Sequence, residues 1–258
     1  MADNNLLEAL SKAVGVETTT SKILSNGKTA TLKTLNVKQQ KEILKTALEG
    51  LLSPISFYTE ANQIIKNNLT ENMELLTMDR PLILLNLRKN SVGDEYELSL
   101  KDEKIKIKIS DLIEKANLVT FSLNESTKDI SHGSITIVTK LPTLDEDTSI
   151  NVQLKKLFEK VKDEDKLKEI IGELFVVELI KFIKAIKFTV DGKENTINFN
   201  ELSLEQKIKA FESVPMSLNY DFVNFIKKIR TIENSILEID HKGDKVSIPL
   251  DSSFFFKE

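Results

Sequence analysis

Apolar residues in the first third of the chain recur at helical spacing. Val37, Ile43, Leu44, Ala47, Leu48 and Leu51, with the polar Gln40 in the same series, follow Asn36, which stands where a helix cap belongs, and Pro54 is read as the stop. Just before this helix, "SNGKTATLKTL" predicts a turn at Asn26-Gly27 and a short strand from Thr29 to Lys33. Residues 1–25 read as a weak helix over Asn5 to Ala13 followed by a polar, Thr-rich arm, free to move or to be ordered by a partner. A second helix is expected over Thr59 to Leu69. A third starts near Thr77, with Asp79 in its first turn, an early Pro81 and Gly93 as its end. Leu82, Leu84, Leu85 and Leu87 cover much of its circumference, so this helix should be buried on more than one side.

After Gly93 the period becomes two. Tyr96, Leu98 and Leu100 alternate with Glu95, Glu97 and Ser99, and Ile105, Ile107 and Ile109 alternate with Lys104, Lys106 and Lys108. A hairpin over about 94–109, turning at Lys101 to Lys104, would pair Leu100 with Ile105, Leu98 with Ile107, Tyr96 with Ile109 and Glu97 with Lys108. A short helix at Ser110 to Ala116 and strands at Leu118 to Leu123, Ser134 to Leu141 and Ser149 to Gln153 should follow. Next come a long helix from Asp163 to Ala185, with Glu178 the odd polar member of its stripe, and a small hairpin turning at Asp191-Gly192. Ser203 and Gln206 form a capping box for a helix ending near Ser213. Pro215 separates it from a last helix, Ser217 to about Ile239, striped by Leu218, Phe222, Phe225, Ile226, Ile229 and Ile236. "KVSIPLDSSFFFKE" closes as a strand and an aromatic tail. The fold class is therefore α+β, with N- and C-terminal helical segments around a central, mostly antiparallel β region. The segments are an arm at 1–25, a helical segment with a leading strand at 26–93, a β-rich region at 94–155 and a helical segment with hairpin and tail at 156–258.

Composition narrows the chemistry. Forty acids and 36 bases give a formal charge of -4 without a basic stripe, which argues against a nucleic-acid partner. There is no Cys, hence no disulfide or thiolate metal site within these residues. No secretion signal is expected at the start. The apolar stretch Ile170 to Ile186 is interrupted by Glu173, Glu178, Lys181 and Lys184, so no membrane-spanning segment and a soluble protein are expected. His132 and His241 lie alone beside glycines, and neither is assigned a role. Nucleophile elbows and phosphate-cradling glycine motifs are missing, the acidic run Asp145 to Ser149 reads as a solvated turn, and "KIKIKIS" reads as a solvated strand face. The expectation is a non-enzyme with no cofactor, metal or small-molecule ligand.

Two features remain. The chain has only three Arg, and two of them, Arg80 and Arg88, flank "PLILLNL". They either close helix ends by pairing with local acids such as Asp79, Asp94 and Glu95, or reach across a subunit contact, since guanidinium geometry suits bidentate pairing. The other feature is Phe254, Phe255 and Phe256. On a strand, Phe254 and Phe256 would point one way and Phe255 the other, so both faces need cover, from this fold or from a partner. Arg80, Arg88, Phe254, Phe255 and Phe256 are the candidate partner contacts.

Several words of sequence, in order, carry a resemblance: "ILSNGKTATLKTLNVKQQKEIL" from Ile23, "LLTMDRPLILLNLRKNSVGDEYEL" from Leu75, Leu141-Pro142, "ESVPMSLNYDFVNFIKKI" from Glu212 and "SIPLDSSFFF" from Ser247. Together they resemble the baseplate hub and hub-assembly proteins of T-even-type contractile-tailed bacteriophages, over Ile23 to Phe256. This chain departs from relatives that carry a Cys pair near the hairpin, so Tyr96, Leu98, Leu100 and the Ile face must hold the hairpin without metal. The resemblance implies a hub subunit or assembly factor acting through contacts with other hub or tail proteins, in the host cytoplasm during assembly and in the virion tail baseplate. It brings no catalytic residues. The competing expectation is a hub-associated cell-wall-degrading enzyme, which would need paired carboxylates in a cleft.

Overall fold

A computed structural model describes residues 17–100, 103–121, 127–159 and 164–256. The weak helix expected at Asn5 to Ala13 lies outside these residues. The Thr-rich arm does not stay loose where it is described. Thr18–Lys22 is a strand, β1, paired antiparallel with β2, Thr29–Lys33, and it buries Thr19 and Ser21. Alternating short polar residues bury well on a pleated surface when their hydroxyls find partners, and Asn86 and Asn90 supply them. Asn36 caps α1, Val37–Thr46, in a reciprocal capping box with Gln39. The helix stops earlier than its apolar period suggests. A 3-10 segment, Ala47–Leu52, kinks at Gly50 (φ +57°), and Pro54 opens α2, Ser53–Asn68, where its missing N–H does no harm.

The third helix, α3 (Arg80–Ser91), is the centre of the molecule. A 3-10 turn, Thr77–Asp79, leads into it, and Pro81 sits in its first turn. It packs against β1, α2, α4 (Ile109–Asn117) and α8 (Met216–Ile236), which leaves Leu82, Ile83, Leu84, Leu85 and Leu87 with almost no exposed surface. Burying such side chains is worth roughly 1.5–3 kcal/mol each. Asp79 does not stand free at the helix start. Its carboxylate accepts from Ser25 N–H (2.8 Å), Ser25 Oγ (2.8 Å) and Leu76 N–H (2.9 Å), which fastens the β1–β2 turn to the helix entry.

The hairpin forms from β3, Glu95–Ser99, and β4, Lys104–Lys108, with its register two residues tighter than expected. Leu98 faces Ile105, Tyr96 faces Ile107 and Glu97 faces Lys106. Leu100 N–H bonds the Glu103 carbonyl, so the chain turns one pair sooner. A two-residue slip preserves the apolar face, which is why the alternation alone cannot tell the two registers apart.

The middle of the chain departs most from expectation. β5, Asp129–His132, and β6, Ile135–Thr139, form a hairpin across Gly133. Leu118 to Phe121 is not a strand, and the rest of that expected strand lies outside the described residues. The strand expected at Ser149 to Gln153 is helical, within α5, Leu144–Glu159. Leu144, Ile150, Leu154 and Phe158 are its buried face. Thr143 and Glu146 cap it reciprocally, Thr143 Oγ1 receiving the Glu146 N–H and Glu146 Oε2 the Thr143 N–H. The long helix, α6 (Glu164–Ile180), ends at Lys181, and Ile183–Val190 is strand β7 where helix was expected to run to Ala185. β7 turns at Asp191-Gly192, both at positive φ, into β8, Lys193–Asn198. The resulting antiparallel sheet has the order β5-β6-β7-β8.

Ser203 and Gln206 cap α7, Leu204–Glu212, as expected. All six apolar residues of the expected α8 stripe are buried. The helix ends at Ile236, and a second tight hairpin follows, β9 (Glu238–His241) and β10 (Asp244–Ser247), turning at Lys242-Gly243. The aromatic tail is not a strand. Ser252–Phe255 is a 3-10 turn capped by Asp251, so Phe254 and Phe255 both turn inward and Phe256 stays half-buried. Apolar residues from Ile23 to Phe255 belong to one core. The α+β class and its antiparallel sheets stand as expected.

Candidate functional site

Arg88, from the last turns of α3, is 1 % exposed. Its Nε donates to the Phe254 carbonyl (2.8 Å), Nη2 to the Glu95 carbonyl (2.8 Å) and Nη1 to the Gly93 carbonyl. The guanidinium carbon lies 5.2 Å from the Tyr96 ring centre and 5.4 Å from that of Phe254, so carbonyl dipoles and ring faces share its charge. The ion pairs expected with Asp79, Asp94 or Glu95 do not form. Asp94 accepts instead from Ser110 N–H and Oγ, at 2.7 and 2.8 Å. Around this node Phe254 packs on Tyr96 and Phe255, and Phe255 on Phe57 (ring centres 5.2, 5.2 and 6.3 Å). Three of the five candidate partner contacts, Arg88, Phe254 and Phe255, are thus closed inside the fold.

Arg80, from the first turn of α3, faces a different setting. Its Nη1 donates to Asp147 Oδ2 (2.9 Å) and Asn62 Oδ1 (3.2 Å), and its guanidinium lies 4.1 Å over the Tyr58 ring. Asp147, in the first turn of α5, also receives Lys181 Nζ (2.7 Å) and Asn62 Nδ2 (2.9 Å). Lys181, 4 % exposed, continues to Asn151 Oδ1 (3.0 Å) and Glu178 Oε1 (2.6 Å). Glu178 Oε2 then accepts from Arg230 of α8 (2.8 Å). The cluster thereby ties α2, α3, α5, α6 and α8 together and includes the third arginine of the chain.

A cavity of about 440 Å³ opens over these groups, lined by Tyr58, Arg80, Asp147, Glu178, Lys181, Arg230 and Glu233 with apolar neighbours. Although burial opposes ionisation of Asp147, the charges of Lys181 and Arg80 and its hydrogen bonds outweigh it and hold the carboxyl at about 2. Glu233 goes the other way. Burial pushes its carboxyl above the usual glutamate range, and Arg80 and Arg230 recover only part of that.

The rarity of arginine marked two of these positions. It missed Asp147, Lys181, Glu233 and Arg230. The acidic run read as a solvated turn is the start of a helix, and the signal for it was present in Thr143-x-x-Glu146 ahead of Ile150, Leu154 and Phe158. Glu178 stood out as polar within an apolar stripe, and its two cations explain it. Among the described residues no group of His, Asp and Glu has the arrangement of a metal site, and no helix is long and apolar enough to cross a membrane. His241 Nε2 lies 2.9 Å from Glu103 Oε1 at the surface.

Residues 16–247 match the family model described as T4 bacteriophage base plate protein. No curated protein and no solved structure matches the chain.

Proposed function

Because this chain belongs to the T4 bacteriophage base plate protein family, we propose that it serves the baseplate hub, as a structural subunit or an assembly factor, by protein–protein contact and without catalysis. The family match over residues 16–247 supports a baseplate protein, and the collinear sequence words from Ile23 to Phe256 are what favour the hub. Its partners are other baseplate and tail proteins rather than nucleic acid, and its places of work are the host cytoplasm during assembly and the virion tail. Exposed apolar residues offer surface for such contacts. Val37, Leu44 and Leu48 stand out of α1 and the turn after it, and Met216 and Tyr220 lie one helical turn apart at the start of α8. Mass spectrometry of purified particles and of tail-assembly intermediates tests the reading. Stoichiometric presence in particles makes the protein a subunit, and presence only in intermediates makes it an assembly factor. Absence from both overturns the proposal.

One observation favours the second reading, a hub-associated enzyme acting on cell wall. The cavity over Arg80 holds one carboxyl raised by burial, Glu233, and one held at about 2, Asp147, which is the division of roles acid catalysis uses. Against it, Asp147 is engaged by Lys181, Arg80 and Asn62, and Glu178 by Lys181 and Arg230, so neither is a free base opposite Glu233. Clearing of a peptidoglycan gel by the purified protein, lost in Glu233→Gln, would establish the enzyme reading. An unchanged gel would remove it.

A further inference from the structure

Beside Arg88, strand β3 has an open side. Its pairing with β4 is fixed by hydrogen bonds from Ile109 N–H to the Asp94 carbonyl and from Leu100 N–H to the Glu103 carbonyl, both 2.8 Å. Hydrogen-bonded and non-hydrogen-bonded pairs alternate along an antiparallel ladder. Tyr96 and Leu98 therefore bond toward β4, whereas Glu95, Glu97 and Ser99 turn their backbone N–H and C=O groups outward. Arg88 takes the outward carbonyl of Glu95. The outward groups of Glu97 and Ser99 bond to nothing among the described residues. They line a groove of about 430 Å³ whose far wall is Pro249, Ser253 and the half-buried Phe256.

We propose that this groove receives an extended segment of a neighbouring protein, which adds to β3 as a third strand. The inference rests on the protein-contact reading and names the kind of partner. Main-chain bonding to Glu97 and Ser99 would supply affinity. Selectivity follows from charge and shape. Glu97 already pairs with Lys104, and Lys106 shares the lining, so Glu95 is the acid that calls for a basic residue opposite it, while Pro249 and Phe256 call for apolar ones. The segment therefore sets a basic position against Glu95 between apolar ones, in the alternation that β4 shows on the other edge. A second copy of the chain is a poor occupant, because two-fold pairing of β3 about Glu97 sets that acid opposite its own mate.

The test uses the intact protein and a labelled eight-residue peptide alternating lysine and valine, followed by fluorescence anisotropy. Saturable binding is expected. N-methylation of alternate peptide residues should weaken it roughly tenfold or more in one of the two methylation registers and little in the other, because only one set of N–H groups meets β3. Glu95→Lys and Phe256→Ala should weaken it as well, at unchanged far-ultraviolet dichroism, and Ser99→Pro should remove one outward donor. If Ser99→Pro unfolds the hairpin, the two methylated peptides still decide. Absence of saturable binding overturns the groove, as does equal binding of both methylated peptides or a concentration-dependent dimer that the neutral Glu97→Gln strengthens. A protein found in particles that fails to bind the peptide loses this inference alone, while one absent from particles and intermediates loses the broader reading whatever the peptide does.

Discussion

Arg88 and Arg80 begin eight residues apart on one helix, yet they solve the burial of a guanidinium in opposite ways. Arg88 has no carboxylate in hydrogen-bond contact among the described residues and distributes its charge over three carbonyls and two rings. Arg80 sits in a relay of acids and bases that opens onto a cavity. The first arrangement is local in chemistry but long in sequence, joining residue 88 to residue 254. No carboxylate among the described residues bonds it directly, so salt and acid should reach it only through the longer-range pull of Asp94. The second depends on the ionisation of Asp147, so the solvent can address it. The same residue type thus makes a permanent fastening in one place and a condition-dependent one in the other.

The largest expected break in this comparison is Arg88→Ala. It leaves buried carbonyls without donors and should lower stability by roughly 4 kcal/mol or more, with urea unfolding as the measure. Arg88→Lys should recover little, because an ammonium cannot reach three separated carbonyls in the plane of a guanidinium. Asp147→Ala comes next, at about 3 kcal/mol, since it strands the 4 % exposed Lys181 beside Arg80. The acid response sharpens the contrast further. Asp147 ionises at about 2 in the fold against 3.8 when free, so its contribution is complete above the free value and is lost as pH falls toward about 2. Roughly 2 kcal/mol should disappear over that window, and Asp147→Asn should abolish this part of the pH dependence. Glu233 has the opposite sign. Its raised carboxyl favours the fold at low pH and loses that advantage as pH rises through its folded value, so Glu233→Gln should gain stability at neutral pH. The smallest effect belongs to Arg230→Ala, about 0.5 kcal/mol and weaker still in high salt, because its pair with Glu178 is half exposed.

Elements with local signals were legible in the sequence. The Asn36 and Ser203 caps, the Asp191-Gly192 turn and the α8 stripe are each decided within a few residues, and each forms where expected. Failures arose where two local readings compete. Thr148 to Val152 is rich enough in β-branched residues to suggest a strand, but capping at Thr143 and the spacing of Ile150, Leu154 and Phe158 select a helix. Nothing local marks the end of α6 either. The chain leaves the helix where its backbone pairs with β6, Lys140 N–H bonding the Phe182 carbonyl, and Lys181 there reaches Asp147 and Asn151, thirty or more residues earlier in the chain. The candidate site was legible only as rare arginines. Which acid Arg80 meets, among forty, is fixed by the packing of α2 against α5 and by the Leu76–Thr143 bridge, and not by sequence proximity. The tail misled for a related reason: three consecutive Phe suggest a strand whose two faces both need cover, but Asp251 caps a 3-10 turn that aims two of them at one core.

The hydrogen bond from Arg88 to the Phe254 carbonyl spans 166 residues. During synthesis, the central helix emerges long before the carbonyl that completes its charged end. A growing chain can collapse around Leu82 to Leu87, but its guanidinium stays wet until the turn at Ser252–Phe255 has emerged. Completion of the core around Arg88 is thereby postponed by more than half the chain, and chains cut before Phe254 should be more open to proteolysis.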